Sequence, residues 1–216
     1  MEDKLSSDTL RQAASESVAS GDRIRERVRN LTLQALQQRK FDYRGFRDVL
    51  QSMTEGISLG AEKRGQDVKA ALSEAFAGMD QALTKAAQAG SLAVEELTAK
   101  GREFNQRELK QALDQMKLME HDFLDTVRQV SQSTSDTVRG EWRELLSHAQ
   151  RAGTDTGVVV SRTLRDFGSR AAESMAESTV AGLEAARVFG ERFAQAASGF
   201  LSAMSEAVKP DEKKKD

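Results

Sequence analysis

Residues 68–89 read Val-Lys-Ala-Ala-Leu-Ser-Glu-Ala-Phe-Ala-Gly-Met-Asp-Gln-Ala-Leu-Thr-Lys-Ala-Ala-Gln-Ala, and they contain two copies of an 11-residue pattern. Positions one, five, eight and nine are apolar in both copies, as Val68, Leu72, Ala75 and Phe76, then Met79, Leu83, Ala86 and Ala87. Eleven residues in three turns give about 3.67 residues per turn, close to the 3.6 of an α-helix. The four positions therefore lie on one side of a helix, within an arc of about 100°.

The pattern extends in both directions, over 14 units from Ile57 to Pro210. Position five is apolar in 12 of the 14 units, whereas position seven is apolar only at Leu118. Because isolated helices gain little stability from propensity, a partner must cover this apolar stripe, either within the same chain or outside it. We therefore predict an all-α protein of long amphipathic helices, arranged as an antiparallel hairpin, a bundle or a coiled coil.

The composition supports helix and excludes several kinds of site. Pro210 is the single proline, so nothing before it interrupts a helix in the way that proline does. There is no cysteine, which excludes disulfides, thiolate zinc sites and cysteine nucleophiles. The formal net charge of −2 argues against a dedicated nucleic-acid binder, which is usually strongly basic.

The chain divides into four parts by its sequence pattern. We expect a flexible leader over 1–21, a short basic helical hairpin over 22–56, the long repeat over 57–208, and a disordered charged tail over 209–216.

A turn is expected within the long repeat, near 131–136. The cluster Ser131-Gln-Ser-Thr-Ser-Asp136 is rich in side chains that compete for helix hydrogen bonds. It separates two arms of nearly equal length, 57–130 and 137–208, as an antiparallel hairpin requires. The segment from Gly153 to Gly157 is a second weak point.

No segment is long and apolar enough to predict a membrane span. The longest nearly uncharged stretch near the C-terminus, 193–205, has 13 residues, against the ~20 needed to cross a bilayer. The first residues also lack the pattern of a secretory signal. We expect a cytoplasmic protein, peripheral to a granule or a membrane if it is attached to one.

No catalytic, cofactor-binding or metal-binding residues are predicted. His121 and His148 lie 27 residues apart, and neither has a partner at ligand spacing. Carboxylates such as Glu62 stand beside lysine or arginine, which is typical of a solvated helix face. The chain has no glycine-rich phosphate loop and no Gly-x-Ser-x-Gly motif. We therefore expect a protein that is not an enzyme and takes no cofactor.

Two glycine pairs have the small-x-x-x-small spacing that lets helices approach closely. They are Gly56 with Gly60, and Gly153 with Gly157. Helix ends or kinks explain these glycines equally well.

Residues 22–47 form a basic segment with eight cationic and three acidic side chains, a net charge of 8 − 3 = +5. A solvated helix face is the favoured interpretation, and contact with the phosphates of a nucleic acid or a lipid is the alternative. The cationic residues are Arg23, Arg25, Arg27, Arg29, Arg39, Lys40, Arg44 and Arg47.

Large apolar residues concentrate in the C-terminal third, opposite a face rich in serine and threonine. This combination suits adsorption to an apolar surface without strong electrostatic attraction. The alternative, which base rates favour, is that the same residues fill the core of a helical bundle. The candidate contact residues are Phe167, Met175, Phe189, Phe193, Phe200, Leu201 and Met204.

The 11-residue amphipathic repeat, its alanine-rich stripe and the lack of proline and cysteine resemble two groups of proteins over residues 57–208. One is the phasins, helical proteins that coat polyhydroxyalkanoate granules and often oligomerise through coiled coils. The other is the exchangeable apolipoproteins. The segment from Arg27 to Ala61 is similar to uncharacterised bacterial helical proteins.

The resemblance implies a non-enzymatic protein that adsorbs to or organises an apolar surface, either a granule or a membrane. A homo-oligomeric coiled-coil scaffold for protein partners is the alternative. Nucleic-acid binding through 22–47 ranks third.

Overall fold

The computed structural model describes residues 6–38, 43–99 and 106–174, and this part of the chain is helical without any strand. The all-α prediction is confirmed. The helices are α1 (Ser7–Ala19), α2 (Ile24–Gln38), α3 (Tyr43–Glu62), α4 (Val68–Ala99), α5 (Gln106–Ser131), α6 (Asp136–Ala152) and α7 (Asp155–Ser174), with a 3-10 turn at Gly65–Asp67 before α4.

The flexible leader expected over 1–21 is wrong for residues 7–19, which form α1. The Ser6 hydroxyl accepts a hydrogen bond from the Thr9 backbone N–H and caps this helix. Leu10, Ala14 and Val18 follow at intervals of four residues and are fully buried. Three apolar residues at this spacing are thus enough to form one packed face. The polar residues between them led to the prediction of a flexible leader.

The helices α1 and α3 pack at very short range through the pair Gly56 and Gly60. A Cβ added to Gly56 would lie 2.2 Å from the carbonyl oxygen of Arg11, and one added to Gly60 would lie 2.4 Å from that of Ser15. Gly56 lies against Arg11, and Gly60, four residues later, lies against Ser15, which is also four residues later. The two helices therefore run in the same direction. Close helix approach, one of the two explanations for this glycine pair, is what the structure shows.

The short hairpin expected over 22–56 is not a unit of its own. Although α2 and α3 touch, α2 packs mainly on α4 and α3 packs mainly on α1. A Cβ on Gly78 of α4 would lie 2.5 Å from the carbonyl oxygen of Arg25, and Arg25 also forms an ion pair with Glu74 at 2.8 Å. The repeat specifies which face of a helix is apolar, but it does not specify the neighbour that covers this face.

The helices α4 and α5 form the centre of the bundle, and α4 contacts α2, α3, α5, α6 and α7. Phe76 of α4 stacks on Phe123 of α5 with ring centroids 5.0 Å apart, and it makes a T-shaped contact with Trp142 of α6 at a centroid distance of 6.3 Å. The Trp142 ring nitrogen donates to the Ser58 hydroxyl of α3 at 3.0 Å. Aromatic packing thus joins three helices around one point, and the hydrogen bond to Ser58 adds the fourth.

The residues at position five of the 11-residue pattern are buried wherever the structure describes their side chains. These eight residues are Ala61, Leu72, Leu83, Met116, Val127, Val138, Ala149 and Val160.

The simple hairpin with uninterrupted arms over 57–130 and 137–208 is not the observed arrangement. The first arm is broken between α3 and α4, where Gly65 has a φ of +59°. The second is broken between α6 and α7, where Gly153 has a φ of +83°. Residues 132–135 connect α5 to α6, at the place where the serine-rich cluster predicts a turn. The result is a bundle in which several short connections reverse or redirect the chain.

Candidate functional site

Phe167 is the one candidate apolar contact residue within the described part of the chain. It lies on α7 and is buried. Met175, Phe189, Phe193, Phe200, Leu201 and Met204 lie outside the described residues, as does the charged tail 209–216.

Arginines of the basic segment are paired with carboxylates and hydrogen-bond acceptors, both within the segment and on neighbouring parts of the bundle. Arg23 lies 3.5 Å from Asp22 and 3.6 Å from Glu26. Arg25 pairs with Glu74, as described above, and Arg27 donates to the Ser20 hydroxyl at 2.7 Å.

The remaining arginines of this segment are distributed over two helices. Arg29 donates to Asn30 on α2, whereas Arg44 lies exposed on α3 and Arg47 donates to Gln129 of α5 at 3.4 Å. Arg39 and Lys40 are outside the described residues. The described arginines therefore do not form one uninterrupted cationic surface.

The histidines are both exposed, His121 on α5 and His148 on α6. Within the three described ranges, no group of three or more histidine, aspartate or glutamate side chains is arranged to hold a metal ion. None of the described helices is long and apolar enough to cross a membrane.

A buried polar cluster at the start of α7 links this helix to α4 and α5 through hydrogen bonds. Asp80 of α4 accepts hydrogen bonds from the backbone N–H groups of Asp155 and Thr156, at 2.9 and 3.1 Å. The Thr156 hydroxyl also donates to the Asp80 carboxylate at 2.7 Å, and it lies 3.2 Å from the Thr84 hydroxyl. A side chain of α4 thus satisfies the first two backbone donors of α7, which have no partner within their own helix.

A second carboxylate reaches the same turn from α5. The Thr154 hydroxyl donates to Glu120 at 2.7 Å and accepts the Gly157 backbone N–H at 2.9 Å. A Cβ on Gly157 would lie 2.2 Å from a carboxylate oxygen of Glu120, so glycine leaves the space that this carboxylate occupies. Two carboxylates from neighbouring helices therefore face the positive end of the α7 dipole.

Burial decides the protonation behaviour of Asp80. It is 8% exposed, and this desolvation raises its pKa above the ordinary 3.8, with a smaller contribution from the charge of Asp155. The hydrogen bonds from Thr156 and Asp155 act in the opposite direction but do not reverse the shift. Asp80 is thus held as an acceptor at a place where its charge is costly.

A cleft of about 480 Å³ lies between α1, α3 and α5. Its lining includes two arginines, Arg11 and Arg47, and two glutamates, Glu55 and Glu62. These charges balance, and Arg11 already pairs with Glu55 at 3.4 Å. The charged side chains that line the cleft therefore give it no net charge.

A family model described as "Family of unknown function (DUF6781)" matches residues 1–210. The chain belongs to this family. No curated protein and no solved structure shows a significant match to the chain.

The sequence of this DUF6781 member carries only a partial signal for the cluster at the start of α7. Asp80 follows Met79 at position two of the repeat, where an acidic residue is typical of a solvated face. The sequence Gly153-Thr-Asp-Thr-Gly157 does carry one clue, because threonine and aspartate before an apolar run are typical of a helix start. What it cannot reveal is that the partners come from α4 and α5.

Proposed function

We propose that this protein is a non-enzymatic helical protein that adsorbs to an apolar surface, such as a storage granule or a membrane, through residues 175–208. The bundle formed by α1–α7 is its folded body. Its partner is thus a surface without strong charge, since the C-terminal segment offers large apolar side chains opposite serine and threonine.

One observation carries this proposal: the described helices already cover their own apolar stripe. Position-five residues from Ala61 to Val160 are buried within the bundle wherever their side chains are described. Few large apolar residues are exposed in the described part, and they are Leu59, Leu92, Leu118 and Val158. The surface of the described bundle is therefore a poor anchor, and Phe189, Phe193 and Phe200 are the large apolar residues of the sequence to which we assign this role.

The expected affinity is adequate for reversible binding. A fully buried phenylalanine contributes ~1.5–3 kcal/mol relative to an exposed one. Three phenylalanines thus contribute at least ~4.5 kcal/mol, which corresponds to roughly a 1,000-fold change in affinity.

The test is flotation of the purified chain with uncharged lipid vesicles and, separately, with polyester particles. We expect the wild-type chain to float with at least one of them. The triple variant Phe189→Ser, Phe193→Ser, Phe200→Ser is expected to lose binding by roughly 1,000-fold.

The matched control replaces the same three residues by leucine, which preserves the apolar stripe and is expected to preserve binding. Far-ultraviolet circular dichroism checks that the bundle is intact in both variants. Equal flotation of the serine variant and the wild type contradicts the proposal, as does a wild-type chain that floats with neither particle.

Self-association is the second candidate function. Leu118 on α5 and Val158 on α7 are 42% and 58% exposed, and each lies within two residues of the contact between Glu120 and Gly157. If they form a seam between copies, Leu118→Ser with Val158→Ser lowers the mass measured by light scattering. A wild-type chain that is monomeric at every concentration removes this candidate.

A further inference from the structure

We propose that the cleft between α1, α3 and α5 binds a short peptide with free termini, whose carboxylate contacts Arg47 and whose ammonium group contacts Glu62. This site lies on the described bundle, and it does not depend on the surface-binding function proposed above. Its volume of about 480 Å³ falls within the ~300–1,000 Å³ that is usual for small-ligand sites.

The cleft is elongated because its floor follows one face of α3. Arg47, Gln51, Glu55, Ser58 and Glu62 line it at intervals of three or four residues. Arg47 and Glu62 are 62 − 47 = 15 positions apart, so their Cα atoms are separated by ~22 Å of helix. Since both side chains line the same cleft, their charged groups are closer together than this. An extended peptide of three to five residues spans ~10–18 Å, which matches the space between the two ends.

The charges along the cleft suit a ligand that is negative at one end and positive at the other. Midway, Glu55 is bonded to Arg11 at 3.4 Å and to Gln51 at 2.9 Å, so these side chains satisfy one another. Arg47 donates to the neutral amide of Gln129 at 3.4 Å, longer than the ~3.2 Å of an ordinary N–H···O bond. A carboxylate is a stronger acceptor for a guanidinium group than an amide oxygen, and it can be bidentate. A ligand carboxylate is therefore favoured at Arg47.

The opposite end of the cleft presents an exposed carboxylate. Glu62 accepts the Ser135 backbone N–H on one of its oxygens, Oε1, at 3.2 Å. An ionised carboxylate has about four acceptor sites, so Glu62 can accept hydrogen bonds from an ammonium group as well. A peptide with its N-terminus at Glu62 and its C-terminus at Arg47 pairs both ends at once, whereas an ion of one sign pairs one end alone.

A buried hydroxyl in the wall of the cleft needs an acceptor. Thr126 of α5 lines the cleft and is 4% exposed, and its hydroxyl has no hydrogen-bond partner within the described residues. A buried polar group without a partner is destabilising. Each peptide unit of a ligand carries one C=O and one N–H group. A carbonyl of the bound peptide supplies the acceptor once the Thr126 hydroxyl rotates towards the cleft.

The apolar part of the lining is small, which favours an extended peptide over a helix. It consists of Leu59, which is 47% exposed, and Val130. An amphipathic helix is ~10 Å across and docks through a row of apolar anchors in an apolar groove, and two apolar residues do not provide such a groove. They suit one apolar side chain of an extended peptide, which covers Leu59.

Isothermal titration calorimetry with synthetic peptides tests this proposal. The probes are free alanine, dialanine, and alanine peptides of three to five residues that carry one central leucine. We expect the longer peptides to bind, and alanine and dialanine, which are too short to reach both ends, to bind at least about tenfold more weakly. The proposal is overturned if none of the longer peptides binds at millimolar concentration, or if free alanine binds as tightly as they do.

Blocked peptides and two protein variants test the orientation. Acetylation of the N-terminus and amidation of the C-terminus are each expected to weaken binding by about tenfold. Arg47→Gln is expected to weaken binding of the free peptide by a similar factor and to leave binding of the amidated peptide unchanged. Glu62→Gln is expected to do the same for the free and the acetylated peptide.

Arg44→Gln and Asp48→Asn are the matched controls, because both residues are exposed on α3 and neither lines the cleft. They are expected to bind the free peptide as the wild type does, and circular dichroism checks that the bundle is intact in each variant. Equal losses from Arg47→Gln and Arg44→Gln overturn the proposal. An Arg47→Gln variant that loses the same affinity for the free and the amidated peptide also overturns it.

Thr126→Val separates peptide binding from stability. Valine keeps the shape of threonine and removes the hydroxyl that has no partner, so the free energy of unfolding is expected to stay the same or to rise. The affinity for the free peptide is expected to fall by about three- to tenfold. A Thr126→Val variant that is less stable than the wild type but binds the peptide equally well contradicts this role of the hydroxyl.

Discussion

Replacement of glycine by alanine is expected to destabilise the protein at Gly60, where α1 packs on α3, and to stabilise it at Gly140 of α6. Gly60→Ala puts a methyl group 2.4 Å from the carbonyl oxygen of Ser15 and 2.8 Å from the Val18 Cβ. An ordinary contact begins at 3.4 Å, so α1 must move away by about 3.4 − 2.4 = 1.0 Å. Gly140 of α6 has no atom within 4 Å of an added Cβ, and Gly140→Ala requires no movement.

The magnitudes follow from packing and helix propensity. Overpacking costs ~1–3 kcal/mol, and the upper half applies at Gly60 because a backbone carbonyl cannot rotate away. Alanine in a helix is favoured over glycine by ~1 kcal/mol. Gly60→Ala is therefore expected to lower the free energy of unfolding by ~1–2 kcal/mol, whereas Gly140→Ala is expected to raise it by ~1 kcal/mol.

The assay is thermal and urea unfolding followed by circular dichroism. For a chain of this size, 1 kcal/mol corresponds to ~2–4 °C in Tm. Gly60→Ala is thus expected to lower Tm by ~2–8 °C and Gly140→Ala to raise it by ~2–4 °C. A Gly60→Ala variant as stable as the Gly140→Ala variant refutes close packing of α1 on α3.

Three further predictions concern the core and the ion pairs. Because its pKa is raised, Asp80 binds its proton more tightly in the folded protein than in the unfolded chain, so its contribution to the free energy of unfolding falls as pH rises from 3.8 through the raised pKa. Urea titrations of the wild type and of Asp80→Asn at successive pH values are expected to show a difference in stability that changes across that window and stays constant above it. Trp142 is the single tryptophan and is fully buried, so its fluorescence emission is expected to shift to the red on unfolding, and Trp142→Ala is expected to lower the free energy of unfolding by ~3–5 kcal/mol in the same urea titration. An emission maximum typical of exposed indole in the folded protein would argue against this core. Arg25 and Glu74 are about half exposed, so the double-mutant cycle of Arg25→Ala and Glu74→Ala is expected to give a coupling of no more than ~1 kcal/mol, and a much larger value contradicts the solvated geometry of this pair.

The 11-residue pattern contains much of the information about which faces are buried. Val138 and Val160 follow turns that interrupt the helix, yet both are buried as their position in the pattern predicts. The periodicity of apolar residues marks the positions that face a core, and it does so whichever neighbouring helices form that core.

Pairing and short-range geometry are not contained in that pattern. The close approach at Gly56 and Gly60 depends on α1, whose face of Leu10, Ala14 and Val18 is too short to distinguish from a polar leader. The position of Asp80 depends on the turn at Gly153, which brings the start of α7 back to α4. Both features arise from contacts between residues more than 40 positions apart, which a periodicity does not encode.

The central claim is that the C-terminal segment enters an apolar surface while the bundle remains outside it. Because the chain has no cysteine, Ala197→Cys places an environment-sensitive dye on the C-terminal stripe, and Ser133→Cys places the same dye at an exposed site between α5 and α6. On addition of vesicles or polyester particles, we expect the emission of the dye at 197 to shift to the blue and that of the dye at 133 to stay unchanged. No shift at 197 with either particle, or an equal shift at both sites, would contradict the account.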